Sequence, residues 1–414
     1  MDSELLNFLA AVVVVLVAAK LAGYASIRLG QPSVLGELLV GIILGPTVLN
    51  MLGGWPLFAG DDHLSASLTL FAEIGVILLM FLAGLELDLR DLLRSGRVAA
   101  LAGTLGVLVP LAGGFVTARL LGVETVEAIF IGLALSATSV SISAQTLMEL
   151  GVLRSKVGLG LLGAAVFDDI LVVLLLSGAS VVFGADDSGA GIGMILLRMV
   201  LFLVGASAVG VYLVPRLMDR VEGLPISQAV PTAALVICFL FAWASEALGG
   251  MAAITGAFMA GLFLARTSYA HHIEGRLAAL AYGLFVPIFL VNIGLQANLR
   301  AISGSAWYLA IALTAVAIIS KVAGSGLGAL AGGFTRRESL QLGVGMISRG
   351  EVGLIVASVA LRAELLTPEV FSGVVFMVIV ATLVTPPLLR LAYRNNDTTP
   401  ALSLIHISEP TRPY

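Results

Sequence analysis

The sequence ALSATSVSISA, residues 134–144, interrupts a long apolar run, and GMISRGEVG, residues 345–353, interrupts another. The first carries five Ser or Thr residues between positions 136 and 144, and the second carries three Gly residues and two opposite charges. Weak helix formers in a run long enough to cross a bilayer predict a helix broken in mid-membrane, whose freed backbone groups line a cavity. Close helix packing through small residues is the alternative interpretation, and it explains one such run better than two.

The composition of the chain is that of an integral membrane protein. Of its 414 residues 59% are hydrophobic and 12% charged, and the mean hydropathy is +1.07. A net charge of -4 without a basic block argues against a nucleic-acid partner. The single cysteine, Cys238, excludes a disulfide framework and a cysteine metal site. The N-terminal MDSELLNF is acidic where a secretory signal is basic, so we expect the first apolar run to remain as a span.

Apolar runs of about 20 residues, the length that a bilayer requires, predict an all-α protein with thirteen transmembrane helices. Three of these runs, near 41, 257 and 288, have the least sharp ends. The predicted centres lie near residues 15, 41, 75, 108, 135, 170, 204, 236, 257, 288, 318, 349 and 380.

The basic residues of the connections predict the orientation. Fourteen Arg and Lys residues, from Arg28 to Arg394, fall in the odd-numbered connections and the C-terminal flank, whereas three, Arg119, Arg300 and Arg362, fall in the even-numbered ones. By the positive-inside rule, the N-terminus is predicted to lie outside and the C-terminus in the cytoplasm of a cell (inner) membrane protein.

Two adjacent aspartates stand in the middle of the sixth predicted span, in GAAVFDDILVV, residues 163–173. Asp168 and Asp169 are the only ionisable side chains between Val157 and Phe183. An ionisable residue at mid-bilayer costs about 2.5–3.5 kcal/mol, so such residues usually have a function. Two carboxylates this close titrate as a coupled pair and can exchange protons for a cation. A purely structural pair explains one aspartate better than both.

Lys321, in AIISKVAGS on the eleventh predicted span, resembles a buried cation without a counter-charge. Because a buried charge requires a partner, we expect it to pair with Asp168, which leaves Asp169 for an ion.

If spans four to six repeat in inverted orientation as spans eleven to thirteen, the two broken helices cross at mid-membrane beside these residues. Secondary transporters bind substrate at such a repeat interface, where the dipoles of half-helices interact with charge.

Six motifs together resemble the second cation:proton antiporter family of bacteria, a group of sodium/hydrogen exchanger-like membrane proteins. The likeness extends from about residue 5 to 394. It implies the sodium/proton antiporter fold, with a scaffold half and a mobile core half, exchange of sodium or potassium for protons, and a homodimer in the lipid bilayer. The motifs are QPSVLGELLVGIILGP (31–46), FLAGLELDL (81–89), SATSVSISAQTL (136–147), FDD (167–169), MAAITGAFMAGLFLAR (251–266) and SRGEVGLIVA (348–357).

The resemblance also implies roles for particular residues. The family's double aspartate falls on Asp168 and Asp169, with the second as the principal cation ligand, and its core lysine falls on Lys321. The unwound segments match Thr138 and Ser139 on one side and Arg349 and Glu351 on the other, where the two charges stabilise the core. Potassium-efflux relatives carry glutamine before a single aspartate; the intact pair here resembles the electrogenic sodium/proton type. No cofactor is implied apart from the transported ions.

Three other functions compete with this interpretation. A sodium-coupled organic solute symporter shares the architecture, but it needs a large polar or aromatic cavity for its substrate. Only 7% of the residues here are aromatic, which argues against such a cavity. A membrane enzyme needs a metal-ligand cluster, a nucleophile with its base, or a phosphate-binding glycine loop, and the sequence shows none of these. A passive channel needs symmetric filter repeats, which are also absent.

The end of the chain differs in character from the rest. LSLIHISEPTRP, residues 402–413, looks like the translation of a sequencing adapter. We therefore expect an exchanger-like transmembrane domain at residues 1–395 and a short tail at 396–414 whose 402–413 stretch is not native. The expectation follows that the natural C-terminus is missing, together with any cytoplasmic regulatory domain.

Overall fold

The computed structural model describes residues 3–58, 63–87, 95–183, 192–296, 300, 304 and 306–394. All regular structure in this part of the chain is helical, as the composition predicts. The predicted tail, residues 396–414, lies outside the described residues, and so do Arg90 and Arg94 of the orientation argument.

The helices follow one another along the chain with short connections. The first eight are α1 (Ser3–Arg28), α2 (Ser33–Leu44), α3 (Met51–Gly54), α4 (Leu64–Leu85), α5 (Gly96–Leu120), α6 (Thr125–Ser136), α7 (Val140–Glu149) and α8 (Lys156–Phe183). The others are α9 (Ile192–Ala208), α10 (Val214–Glu222), α11 (Ala229–Ala247), α12 (Ala253–Leu264), α13 (Ala270–Leu280), α14 (Val286–Leu295), α15 (Ala306–Ala331), α16 (Arg336–Gly345), α17 (Glu351–Arg362) and α18 (Pro368–Tyr393).

Two short π-helical segments, Val209–Leu213 and Ala281–Phe285, join α9 to α10 and α13 to α14. Each is followed closely by a proline, Pro215 or Pro287. Proline lacks a backbone N–H and clashes with the preceding turn, and a π turn accommodates both effects without ending the helix. Each pair of helices therefore runs on as one span, and the segment near 288 is a span of 26 residues, Ala270–Leu295.

Ten helical segments of the described chain are long and apolar enough to cross a membrane, and α6 with α7 forms one of them. Three shorter apolar helices, Ser33–Leu44, Ala253–Leu264 and Val352–Leu361, stand where the other predicted spans fall. At 1.5 Å per residue, a helix of 12 residues measures about 18 Å, which is short of the bilayer core of about 30 Å. The count of thirteen spans remains a prediction.

Packing divides the helices into two groups. In the first, which we call the core half, α5 packs along α15 and contacts α6 and α8, while α15 contacts α16 and α18. In the second, the scaffold half, α12 packs between α4 and α11, and α14 packs between α2 and α4. Helices α5–α8 and α15–α18 form the core half, and α1–α4 with α9–α14 form the scaffold half.

Burial shows which spans lie at the centre. Within Thr125–Glu149, 78% of the residues in the most apolar 18-residue stretch are buried inside the protein. In α1 and in Gly193–Glu222, the corresponding share is 17%. Because α1 and α9 present Leu and Val side chains outward, they lie at the periphery of the protein. The broken span that contains α6 and α7 is thus surrounded by protein, where irregular backbone is tolerated at membrane depth.

Glycines set the close contact between α5 and α15 that positions Lys321. A Cβ atom on Gly324 would lie 2.4 Å from the carbonyl oxygen of Leu105, and one on Gly328 would lie 2.3 Å from that of Leu101. These distances are far below van der Waals contact, so only glycine permits this approach of the two backbones. Because Lys321 lies about one turn before Gly324 on α15, the approach brings its side chain against the middle of α5.

Candidate functional site

The two breaks predicted from the sequence are present, and they cross each other. Helix α6 ends at Ser136 and α7 begins at Val140, while α16 ends at Gly345 and α17 begins at Glu351. The backbone N–H of Ser139 donates to the carbonyl oxygen of Ser348 at 2.9 Å, and the hydroxyl of Ser348 donates to the carbonyl oxygen of Ser139 at 2.6 Å. Backbone groups that the breaks release are therefore satisfied by the opposite break.

Further contacts reinforce this crossing. The hydroxyls of Ser143 and Ser348 lie 2.9 Å apart, and the Ser143 hydroxyl also donates to the carbonyl oxygen of Gly345. The absence of a side chain at Gly350 is required as well, because a Cβ atom there would lie 2.6 Å from the Cβ of Ser139. The hydroxyl and glycine residues that mark the two breaks in the sequence thus make the contacts between them.

Each half-helix that ends at the crossing has a cation at its C-terminus. The Lys321 ammonium donates to the carbonyl oxygen of Ser136, the last residue of α6, at 2.7 Å. The Arg349 guanidinium donates to the carbonyl oxygen of Met346, directly after α16, at 3.2 Å. A positive charge is favourable at a helix C-terminus, where the carbonyl groups have no partner within the helix.

Lys321 uses all three of its N–H donors. Besides Ser136, the ammonium donates to the carbonyl oxygen of Gly106 and to Oδ1 of Asp168, both at 2.7 Å. The side chains of Lys321 and Asp168 are fully buried. The counter-ion that the sequence analysis expected for Lys321 is therefore in contact with it, and a fully hydrogen-bonded ammonium is the arrangement in which a buried charge is tolerated.

The second carboxylate oxygen of Asp168 is in a different situation. Oδ2 is buried and has no hydrogen-bond partner among the described residues, and the same holds for the hydroxyl oxygen of Thr138 in the first break. A buried acceptor without a partner is costly, so it calls for an explanation such as a functional role. Asp168 and Thr138 thus keep oxygen atoms that a proton or a cation could use.

Asp169 faces a cavity. Its side chain lies on α8, one residue and about 100° from Asp168, and it lines a small cavity between the core and scaffold halves. Asp169 is 8% exposed, so the cavity gives its carboxylate limited access. The two adjacent carboxylates therefore have separate surroundings, one held by Lys321 and one on a cavity.

Arg349 is fully buried, and among the described residues its guanidinium donates to backbone carbonyl oxygens. Besides Met346, its guanidinium donates to the carbonyl oxygen of Ala317 on α15 at 3.2 Å, and its own carbonyl oxygen accepts a hydrogen bond from the hydroxyl of Thr382 on α18. These contacts tie the second break to two neighbouring helices. The backbone of Glu351 begins α17, but its side chain lies outside the described part of the structure.

Ser139 contributes to the site chiefly through its backbone. Its N–H and carbonyl oxygen join the second break, as described above, and its hydroxyl lies 3.2 Å from that of Ser141. Thr138, Ser139, Asp168, Asp169, Lys321 and Arg349, which the sequence analysis selected, thus lie at or beside the crossing.

Hydrogen bonds near the start of α2 join the two halves. The Glu149 carboxylate, at the end of α7, accepts hydrogen bonds from the backbone N–H of Ser33 at 2.8 Å and from its hydroxyl at 2.5 Å. Nearby, the hydroxyl of Tyr282 donates to the sulfur of Met148 at 3.6 Å. The half-helix α7 is therefore held against the scaffold half at this end.

Several contributors to the site were not predicted from the sequence. Gly106 and Ser136 act through carbonyl oxygens, which every residue has, so no sequence signal marks them. Thr255 lines the cavity of Asp169 and lies within the quoted motif MAAITGAFMAGLFLAR, where a lone hydroxyl in an apolar run was the available signal.

Two helices that break in mid-membrane and cross each other beside buried ionisable side chains are typical of secondary active transporters. The family model "Sodium/hydrogen exchanger, transmembrane" matches residues 12–391. The chain belongs to this family, and the resemblance that its motifs indicated is confirmed.

Two relatives and one solved structure are similar to this chain over nearly its whole length. The chain is 43% identical to the Na⁺/H⁺-K⁺ antiporter GerN of Bacillus cereus over 94% of this chain and 97% of the relative. It is 36% identical to a Na⁺/H⁺ antiporter of Enterococcus hirae over 93% of this chain and 98% of the relative. The solved structure of the sodium proton antiporter MjNhaP1 from Methanocaldococcus jannaschii matches with a TM-score of 0.70 at 18% identity, covering 94% of this chain and 97% of that one. The last comparison supports the fold alone.

Proposed function

We propose that this protein is a secondary active transporter that exchanges sodium for protons by alternating access. The observation that carries the proposal is that the two carboxylates at the crossing have different surroundings. Lys321 contacts one oxygen of Asp168, and the other oxygen is buried without a partner among the described residues. Asp169 lines a cavity. The names of the relatives, Na⁺/H⁺ antiporters among them, point to the same activity.

In this mechanism a sodium ion and protons compete for the same carboxylates. Asp169 is the principal cation ligand, and Asp168 and the oxygen atoms of Thr138 and Ser139 complete the site. Either occupant neutralises enough negative charge for the core half to move past the scaffold half, whereas an empty, negatively charged site does not move because its desolvation is too costly. Exchange follows because the core half moves back across the membrane only with sodium or protons bound.

The charges at the breaks have a supporting role in the proposal. Lys321 compensates Asp168 in the loaded and the empty states, and Arg349 secures the second break through backbone oxygens. Glu351 is proposed as a further core charge, as the family resemblance implies. The intact Asp168–Asp169 pair with Lys321 resembles the electrogenic sodium/proton type, so we propose that transport is electrogenic.

Potassium is the second candidate cation. The Bacillus cereus relative is named a Na⁺/H⁺-K⁺ antiporter, which extends the cation class beyond sodium. The Asp168–Asp169 pair favours sodium over the potassium-efflux type, whose relatives carry glutamine before a single aspartate. Parallel assays with sodium and potassium decide between the two.

The proposed setting is a homodimer in a cell (inner) membrane, with the N-terminus outside and the C-terminus in the cytoplasm. The distribution of basic residues supports the orientation. The outward apolar side chains of α1 support contact with lipid or with a second copy of the chain. Accessibility of single cysteines introduced at the two termini tests the orientation.

The test of the proposed function is the collapse of a proton gradient in everted vesicles after sodium is added. We expect a sodium response in the unaltered protein and none in Asp169→Asn. Asp219→Asn, which changes an exposed aspartate of α10, is the matched control and should respond as the unaltered protein does. An undiminished response in Asp169→Asn would reject Asp169 as the shared ligand.

A further inference from the structure

The cavity of Asp169 is almost entirely apolar. Of the nine described residues that line it, two have polar side chains, Asp169 and Thr255. The other seven are Met80, Val140, Leu162, Ala165, Val166, Ile254 and Phe258. A cation that enters this cavity and sheds part of its water therefore finds side-chain oxygen atoms at two of the lining positions.

The two polar residues come from opposite halves of the protein. Asp169 lies on α8 of the core half, and Thr255 lies on α12 of the scaffold half. Met80 and Phe258 also belong to the scaffold half, so the cavity lies between the parts that the proposed mechanism moves against each other. A contact from Thr255 to an ion bound at Asp169 would exist only while the halves have a particular arrangement.

Packing fixes the orientation of α12, and with it the position of Thr255. A Cβ atom on Gly256 would lie 2.0 Å from the carbonyl oxygen of Phe241 on α11, and one on Gly261 would lie 2.0 Å from that of Phe81 on α4. Because both faces of α12 are in close backbone contact, the helix cannot rotate without a clash. Thr255 is 4% exposed and is therefore held at the cavity by the scaffold.

The chemistry of a threonine hydroxyl suits a cation. Its oxygen has two lone pairs, and it can contact the ion directly or through one bridging water. Loss of a hydrogen bond or ligand to a charged group costs more than loss of a neutral one, so removal of the hydroxyl should weaken cation binding measurably. The same change should leave proton binding at Asp169 intact.

We propose that Thr255 is a cation ligand that the scaffold half contributes to the site, in contact with the ion while Asp169 binds it. This inference rests on the proposed function, because it concerns the same cation. If Thr255 is a ligand, the scaffold half contributes to the affinity for the cation. Because the contact exists in one arrangement of the halves only, that affinity differs between the two sides of the membrane.

The test compares Thr255→Val, which removes the hydroxyl at similar volume, with Thr255→Ser, which retains it. The measurement is the half-saturating sodium concentration for exchange in oriented proteoliposomes, with sodium added to one side and then to the other. We expect about a tenfold rise for Thr255→Val from one side, with the maximal rate unchanged, and values close to the unaltered protein for Thr255→Ser.

Thr314→Val is the matched control. Thr314 is also buried, but its hydroxyl donates to the carbonyl oxygen of Ala310 in its own helix at 2.7 Å, away from the cavity. Its half-saturating sodium concentration should not change. If Thr255→Val does not accumulate in the membrane, Thr255→Ala serves in the same comparison.

Two results would overturn the proposal: an unchanged half-saturating sodium concentration in Thr255→Val, or an equal rise in Thr255→Ser, which would indicate packing instead of ligation. Failure of the proposed function looks different, because then the unaltered protein itself shows no sodium response.

Discussion

Lys321 and Asp168 form an ion pair with 2.7 Å between Nζ and Oδ1, and both side chains are fully buried. Two backbone carbonyl oxygens complete the hydrogen bonds of the ammonium, whereas the second oxygen of Asp168 has no partner among the described residues. The ammonium of Lys321 therefore makes all three of its hydrogen bonds, whereas one oxygen of the Asp168 carboxylate makes none with the described residues. An oxygen atom that can accept a proton or contact a cation thus lies on the residue next to Asp169.

Replacement of Lys321 by methionine should destabilise the protein strongly. Removing one member of a buried ion pair leaves an uncompensated charge and typically costs about 3–5 kcal/mol. The midpoint of thermal unfolding of the purified protein in detergent should therefore fall. The double variant Lys321→Met with Asp168→Asn, which removes both charges, should recover part of the loss. Equal stability of Lys321→Met and the unaltered protein would contradict a structural role for the pair.

A side chain at Gly350 should disrupt the crossing of the breaks. In Gly350→Ala the new Cβ would meet Ser139 at 2.6 Å, and overpacking of this kind costs about 1–3 kcal/mol. We expect reduced sodium-driven proton flux, and partial recovery when Ser139→Gly is added, because that change removes the atoms in conflict.

Gly275→Ala controls for the loss of a glycine as such. A Cβ atom at Gly275, on α13, meets nothing within 4 Å. This variant should keep its activity, and a normal flux in Gly350→Ala would show that the crossing tolerates displacement.

Cross-linking the halves at Ser33 and Glu149 should stop transport. Cysteines at both positions, in a Cys238→Ala background, replace the hydrogen bonds of 2.8 and 2.5 Å by a covalent link that alternating access would have to break. We expect loss of exchange after oxidation and its return after reduction.

A second cysteine pair, Glu127→Cys with Thr367→Cys, is the control for this experiment. These residues are hydrogen-bonded at 3.0 Å within the core half, so their link should leave exchange intact. Full activity of the oxidised Ser33–Glu149 pair would contradict relative movement of the two halves.

The start of α16 should give a stability effect that depends on pH. Thr335 and Glu338 form a capping box, and Glu338 also pairs with Lys156 at 3.2 Å. Partial burial acts to raise the pKa of Glu338, but hydrogen bonds from Thr335 and the charge of Lys156 outweigh it, and the pKa lies below its usual value of 4.5. Because the folded-state pKa is the lower one, this carboxylate stabilises the fold above about pH 4.5, and the contribution is lost as the pH falls through the folded-state pKa.

Glu338→Gln should therefore be less stable than the unaltered protein at neutral pH, by less than about 1 kcal/mol because the pair is partly exposed. The difference should vanish at acid pH. Thermal unfolding in detergent across this pH range measures it, and a difference that grows toward acid pH would contradict the assigned direction. Thr335→Ala, which removes the cap, should cost about 1 kcal/mol.

The sequence was sufficient to predict the breaks, their crossing and the proximity of Lys321 to Asp168, because polar residues in a bilayer have few arrangements that satisfy them. It did not show Gly106 and Ser136 as acceptors, since a carbonyl oxygen leaves no mark in the sequence. It also did not show Thr255 at the cavity, because the rotation of α12 is set by backbone contacts of Gly256 and Gly261 with other helices. Those contacts depend on the assembled fold.

Competition between sodium and protons at Asp168 and Asp169 is the central claim, and equilibrium binding of radioactive sodium to the purified protein at a series of pH values tests it most directly. As the pH falls, the half-saturating sodium concentration should rise while the amount bound at saturation stays constant, because a shared site can be regained by excess sodium. A falling amount bound at an unchanged half-saturating concentration would place the two ions at separate sites and contradict the claim.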